Sequence, residues 1–201
     1  MKRIIDILGA MAILVILSPA LVAIVILIAI FQGTPIIFRH ARLGKNHQEF
    51  QILKFRTMNN KRNIDGELLP DHERVTRIGE FLRSTSLDEL PGFWNVLRGH
   101  MSIVGPRPLP PQYADRYSKE QARRHEVKPG VTGWAQINGR NAISWNQKFI
   151  LDVWYVDNRS FYLDIKILLK TLSYVLARRD IVPDNKGAME EFMGSNTGDK
   201  S

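Results

Sequence analysis

The stretch "AILVILSPALVAIVILIAIFQG", residues 12–33, decides how this chain is read. It lies within a run from Ile7 to Phe31 that carries no charge. A straight helix over that run is about 37 Å long at ~1.5 Å per residue. The hydrocarbon core of a bilayer is about 30 Å thick, so length permits a crossing. Ser18-Pro19 sits in the middle of the run, however. Proline there removes one N–H and drives its ring against the carbonyl of Val15. A carbonyl freed in lipid needs another donor, and the Ser18 hydroxyl is the local candidate. The flanks point a second way. Lys2 and Arg3 precede the run and Arg39, Arg42 and Lys45 follow it, so the charge that marks a cytoplasmic side stands at both ends. A sharp bend at Ser18-Pro19 gives two legs of about 12 residues, each near 18 Å, and returns both ends to one face. The residues alone leave a kinked span and a re-entrant helix equally open. Secretory apolar regions are only about 7–15 residues long, and no small-x-small pattern follows, so the segment is expected to be retained.

The remainder is polar and basic. The chain of 201 residues has 28 Lys+Arg against 20 Asp+Glu, a net charge of +8. Such an excess fits an anionic partner: nucleic acid, anionic lipid or a phosphorylated substrate. The apolar run favours the membrane options over nucleic acid. Cysteine is absent, which excludes disulfides and Cys-based zinc sites. The five histidines, His40, His47, His72, His100 and His125, lack metal-ligand spacing. No P-loop, G-x-S-x-G or dinucleotide glycine pattern is present.

Along the soluble part, "PIIFRHARLG" and "QEFQILKFRTM" predict two strands joined by a turn at Gly44-Lys45-Asn46-His47. Residues 59–72 predict a loop, and Val75, Ile78, Phe81 and Leu82 a helix. Ser86…Glu89, Ser118…Gln121 and Ser144…Gln147 match the capping box. The last helix, "FYLDIKILLKTLSYVLARR", has a stripe of Ile165, Leu168, Leu169, Leu172, Val175 and Leu176. That stripe is expected to face a core, with Lys166, Lys170, Arg178 and Arg179 on the solvated side. The alternative is a helix lying on a membrane surface. Trp94, Trp134, Trp145 and Trp154 are expected in the core, or in part at headgroup level. Residues 192–201 read as a disordered tail.

The densest chemistry is in "RSTSLDELPGFWNVLRG", residues 83–99. Asp88 and Glu89 fall where a first helical turn is expected. Glu89 would complete a capping box with Ser86, and Asp88 would favour the positive helix end. The same position suits an anion-binding site with an ionised Asp88 as nucleophile. A carboxylate attacking phosphate needs cations to neutralise the phosphate oxygens. Arg83, Arg107, Lys54 and Arg56 are the candidates, and Mg2+ is the natural metal beside one or two carboxylates. Arg107 and Arg140 each lie in a rigid Gly/Pro loop, "GHMSIVGPRPLPP" and "KPGVTGWAQINGRN", a setting that commonly binds ligands.

"KFRTM", "RSTSLDELPGFWNVLRG", "MSIVGPRP" and "KPGVTGWAQINGRN", in that order behind an N-terminal apolar segment, closely resemble the small monotopic polyprenol-phosphate phosphoglycosyl transferases, the bacterial sugar transferase family. The likeness runs from residue 2 to about residue 180 and looks like the minimal catalytic form. It implies an α+β, mainly helical monotopic protein with a β-hairpin and amphipathic surface helices. Residues 1–33 would be a re-entrant helix broken at Ser18-Pro19, residues 34–182 the catalytic domain, and residues 183–201 a mostly flexible tail. It implies a transferase at the cytoplasmic face of the bacterial inner membrane, whose partners are a UDP-sugar, polyprenol (undecaprenyl) phosphate and membrane lipid. The phosphosugar would pass to the lipid phosphate with release of UMP, the first membrane step of glycan assembly, for exopolysaccharide or glycoprotein. By the family's pattern Asp88 is the nucleophile, Glu89 its acidic partner, and Mg2+ sits at Asp88. Arg107, within Pro106-Arg107-Pro108, matches a nucleotide-binding motif, and Arg83 a phosphate contact. One departure stands out: the family's Gly-Asp-Met-Ser is here Gly99-His100-Met101-Ser102. The alternative class is a non-catalytic scaffold that binds anionic lipid at the membrane surface.

Overall fold

The computed structural model describes residues 1–139, 143–177 and 191–194. The apolar N-terminal run forms two helices, α1 (Lys2–Ile16) and α2 (Ser18–Gln32). Their axes bend by 62°. The break follows the local chemistry. Pro19 takes the first turn of α2, where its missing N–H is not needed. Ser18 Oγ donates to the Val15 carbonyl at 2.8 Å, the partner expected from the sequence. Each leg has 15 residues and is about 22 Å long. Among the described residues no single helix is long and apolar enough to cross a membrane.

The first leg exceeds the expected dozen residues because α1 begins at Lys2 and docks on the protein by its polar end. Asp6 is buried and accepts from Ser102 Oγ at 2.9 Å and from the Ile103 N–H at 3.0 Å. Arg3 donates to the carbonyls of Val96 and Leu97, the latter at 2.8 Å, and Lys2 pairs with Asp164 at 2.6 Å. Ala10, Ile24 and Ile28 join the core, while Leu8, Val15, Ile16, Val22, Ile30 and Phe31 remain exposed.

The expected hairpin is present. Strand β1 (Ile37–Leu43) pairs antiparallel with β2 (Glu49–Phe55), from Ile37 opposite Phe55 to Leu43 opposite Glu49. The turn between them holds Asn46 and His47 in the left-handed region. Residues 59–70 form the expected loop, and a short helix, α3 (Asp71–Arg74), closes it. Helix α4 (Arg77–Ser84) is capped by Thr76, whose side chain accepts from the Gly79 N–H. It starts later than expected, because Val75 forms a bridge with Met58. Leu82 is fully buried and Phe81 exposed. In α5 (Gly92–Arg98) the buried Asn95 donates to the Gln51 carbonyl at 2.8 Å and accepts from the Leu53 N–H at 3.0 Å. It thereby fastens α5 to the free edge of β2.

A second sheet joins the two Gly/Pro loops. Strands β3 (Ser102–Val104) and β4 (Gly130–Thr132) run parallel, pairing Ser102 with Gly130 and Val104 with Thr132. The Gly130 N–H donates to the Pro106 carbonyl at 2.9 Å. A Cβ at Gly130 would lie 2.1 Å from the Gly105 nitrogen, so the backbones can meet only at glycine. Between these strands lie a 3-10 turn (Pro111–Arg116), α6 (Lys119–Ala122) and a second 3-10 turn (Arg123–Glu126). After them come α7 (Trp134–Ile137), α8 (Trp145–Asn158) and α9 (Phe161–Ala177). The capping boxes at Ser118/Gln121 and Ser144/Gln147 both form. The chain is thus α+β and mainly helical, as expected.

The buried face of helix α9 overlaps the expected stripe only in part. Leu163 and Ile167 are buried and Leu168 of the stripe packs against the core, whereas Ile165, Leu169 and Leu172 are exposed beside Phe161 and Tyr162. Polar partners select the face. Thr171, on the Leu163–Ile167 line, meets Thr132 Oγ1 at 2.7 Å, and Tyr174 donates to the Ile137 carbonyl at 3.3 Å. Arg178 and Arg179 lie outside the described residues. The tryptophans also divide. Trp134 stacks on Trp154 at 4.8 Å, but Trp154 and Trp94 are 40% and 47% exposed, which corrects the core expectation for both. Of the expected tail, residues 191–194 are described and are docked, with Phe192 buried. Residues 183–190 and 195–201 lie outside the described residues.

Candidate active site

Asp88 and Glu89 do not open an α-helix. They lie in a 3-10 turn, Leu87–Glu89, between α4 and α5, and Ser86 before it is left-handed with φ 57° and makes no capping bond. The expected capping box therefore fails, and so does the helix-terminus reason for an ionised Asp88. The Glu89 side chain is drawn elsewhere. Its Oε1 accepts from Lys54 Nζ at 2.7 Å and from Arg107 at 2.8 Å. Charge-assisted bonds of this kind are roughly twice as strong as neutral ones, so two cations outcompete one neutral N–H.

Two remote elements supply this arrangement. Lys54 comes from β2, held against α5 by Asn95. Arg107 comes from the loop after β3, whose backbone is clamped to β4 at Pro106. Pro106 and Pro108 are buried and Arg107 between them is exposed, so the flanking prolines serve as anchors that present the guanidinium. Arg124 fixes the same loop from behind. It donates to the Arg107 carbonyl at 2.7 Å and pairs with the buried Asp152 at 2.8 Å. Arg83, on α4, donates through Nε to Thr57 Oγ1 at 2.9 Å and acts electrostatically on Asp88.

The two carboxylates are electrostatically unlike. Burial pushes the Asp88 carboxyl up, the charge of Glu89 pushes it further, and Lys54, Arg107 and Arg83 only partly offset this. Burial also acts on Glu89, but Arg107 and Lys54, by charge and hydrogen bonds, hold it far below the usual carboxylate range. The reason is distance. Lys54 is 2.7 Å from Glu89 but 3.8 Å from Asp88. Glu89 is a fixed counter-ion, and Asp88 is the carboxylate whose oxygens are less engaged.

Among the described residues no group of three or more Asp, Glu or His side chains converges as a metal cage. With Glu89 engaged, the protein offers a cation chiefly Asp88. That donor set fits Mg2+, which binds through one or two carboxylates with water and substrate phosphates completing its shell.

Arg56 is not part of this cluster. It is buried, and donates to the carbonyls of Gln32, Gly33 and Thr34, the latter two at 2.7 and 2.8 Å. The last carbonyls of a helix have no partner of their own, and Arg56 serves those at the end of α2. Arg140 lies outside the described residues. His100 closes α5 through its N–H to the Asn95 carbonyl at 3.0 Å and lies 5.8 Å from the Phe50 ring. The departure from the family pattern thus falls at a helix end. Asn95, Thr57, Arg124 and Asp152 escape sequence reading, because their partners are distant in the chain.

The model of a family described as bacterial sugar transferase matches residues 1–178. The chain belongs to that family. It is 49% identical to "Uncharacterized sugar transferase EpsL" of Bacillus subtilis (strain 168), over 97% of this chain and 96% of the relative. It is 41% identical to the UDP-galactose-lipid carrier transferase of Erwinia amylovora, over 89% of this chain and 41% of the relative. It is 40% identical to the UDP-glucose:undecaprenyl-phosphate glucose-1-phosphate transferase of Escherichia coli (strain K12), over 86% of this chain and 39% of the relative. The chain therefore spans nearly all of the first and about two-fifths of the other two. As a member of this family it is an enzyme, a sugar transferase, as the sequence resemblance implies.

Proposed function

We propose that this sugar transferase moves a phosphosugar from a UDP-sugar to polyprenol phosphate through an aspartyl intermediate on Asp88. One observation carries the reading: of two adjacent carboxylates, Glu89 is locked by Lys54 and Arg107, which leaves Asp88 oxygens to react. Ionised Asp88 attacks the sugar-bearing phosphorus. The bond from that phosphorus to the bridging oxygen breaks, and UMP leaves with the electron pair. A phosphate oxygen of the polyprenol carrier then attacks the same phosphorus and breaks the bond to Asp88, which regenerates the carboxylate. Arg107 and Lys54, already fixed on Glu89, face charge that develops on the phosphate oxygens. Mg2+ held by Asp88 and the diphosphate would supply further neutralisation. A lipid-binding scaffold would have no use for a buried, half-compensated carboxylate.

The same reading places the protein on a membrane, at the cytoplasmic face, with α1 and α2 entering and returning. The 62° bend at Ser18, two legs each too short to cross, exposed apolar side chains along both, and basic flanks support it. The exposed stripe of α9 supports a surface contact as well. The test of the chemistry is direct. Protein incubated with a UDP-sugar and no polyprenol phosphate should gain the mass of the phosphosugar, mapped to Asp88 by proteolysis. An adduct on Glu89, or none with turnover intact, refutes the mechanism.

A further inference from the structure

Behind Arg107 the site continues into rings. Tyr113 meets Trp145 edge-on at 5.7 Å, Trp145 stacks on Phe149 at 5.7 Å, and Tyr117 meets Phe149 edge-on at 5.4 Å. Phe192 sits among them, 4.9 Å from Phe149 and 5.7 Å from Tyr113, and only 6% of it is exposed. Its N–H donates to the Tyr113 hydroxyl at 3.2 Å, its carbonyl accepts from Arg116 at 2.6 Å, and Glu191 pairs with Arg116 at 2.7 Å. The other rings do not depend on Phe192. Tyr113 and Tyr117 belong to the turn after Pro110, and Trp145 and Phe149 to α8, whose start is fixed by its capping box. Removal of Phe192 would leave a preformed aromatic basin.

Cations join this basin to the acidic pair. Arg124 lies 5.6 Å over Phe149 and bonds the Arg107 backbone. Lys148 lies 5.1 Å over Trp145. Arg107 itself reaches Glu89 at 2.8 Å. Aromatic rings accept any base by its flat face. We propose that this basin is the nucleobase subsite of the donor, and that Phe192 is a self-ligand that fills it in the free enzyme and leaves when the nucleotide binds. The inference rests on the UDP-sugar reading above. An internal competitor raises the apparent Kd by the reciprocal of the fraction of protein in which the seat is free.

UDP and inorganic pyrophosphate should be titrated calorimetrically into the full-length protein and into Phe192→Ala. UDP should bind Phe192→Ala about five- to tenfold more tightly, as expected when a mostly closed seat is opened, with pyrophosphate unchanged. In the wild-type protein, UDP should speed hydrogen exchange at the amides of Phe192 and Met193. Equal or weaker UDP binding by Phe192→Ala, or slower exchange on adding UDP, overturns the proposal and makes Phe192 part of the wall. A matching gain for pyrophosphate overturns it as well, by making the segment a cover for the phosphates. If the Asp88 adduct forms while UDP affinity ignores Phe192, this inference falls alone. If UDP binds neither protein, it falls with the UDP-sugar reading.

Discussion

Ser18 and Ser86 pose the same question in two regions, and the fold answers it differently. Each serine has a nearby backbone group that its hydroxyl can serve. Ser18 serves it, with Oγ on the Val15 carbonyl at 2.8 Å and a helix break where the sequence places one. Ser86 does not. It turns left-handed, and its expected partner Glu89 is held by Lys54 and Arg107, 35 and 18 residues away. Around Ser18 the neighbours are apolar and offer no competing charge. Around Glu89 two cations converge from other elements. Local rules hold where nothing stronger is within reach, and at the candidate site something stronger is.

The largest expected effect tests the site half of that contrast. Asp88→Asn should keep the fold and lose turnover by roughly 10⁴–10⁶-fold, as when a nucleophile is deleted, and should form no adduct by mass spectrometry. Next comes the metal. EDTA should abolish UMP release from UDP-sugar and Mg2+ restore it. Full turnover in EDTA would show that Lys54 and Arg107 neutralise the diphosphate unaided.

Glu89→Gln should follow, with kcat down by about 10²–10³-fold, the scale for loss of one preorganised electrostatic contact. Its pH profile is more telling. Asp88 must be ionised to attack, and burial and Glu89 raise its pKa. Activity should therefore fall off in acid at a higher pH than for an ordinary carboxylate. Removing the Glu89 charge removes one upward push, so the acid limb of kcat/KM should move to lower pH in Glu89→Gln. A shift the other way would mean that Glu89 matters to Asp88 through the cations it positions.

The helix half is tested by topology. With Ser18→Leu and Pro19→Leu together, α1 and α2 should merge, and accessibility tags at residues 1 and 201 should change from one side of the membrane to opposite sides. Tags on opposite sides in the unaltered protein would refute the re-entrant reading. The smallest effect discriminates most finely. A capping serine costs about 1 kcal/mol when removed, but Ser86 caps nothing and has φ 57°. Ser86→Gly should thus be neutral or stabilising by up to about 1 kcal/mol in a denaturant melt, while Ser144→Ala, at a cap that forms, should destabilise by about 1 kcal/mol.

Short-range chemistry was legible: the hairpin and its turn, the caps at Ser118 and Ser144, the break at Ser18-Pro19, and the candidate residues Asp88, Glu89, Lys54 and Arg107. Misreadings arose where a distant partner intervened. Arg56 looks like a phosphate clamp beside Lys54, but β2 ends at Phe55 and the Arg56 guanidinium is taken by the unpaired carbonyls that end α2. The outward part of the α9 stripe looks like a core face, yet Thr132 and Ile137 hold the Leu163–Ile167 side inward through Thr171 and Tyr174. Strands β3 and β4 are too short to show alternation.

The sequence by itself determined where the chain is apolar, where it must bend, and which residue types meet in order along it. Those outcomes depend on sterics and hydrogen bonds within a few residues, and neighbours in sequence are always present. The tertiary structure alone decided which of two adjacent carboxylates is neutralised, which arginine faces the site, and that Phe192 rests against rings from two other elements. Those outcomes depend on burial and on charges brought together from far apart, and neither exists until the chain has folded.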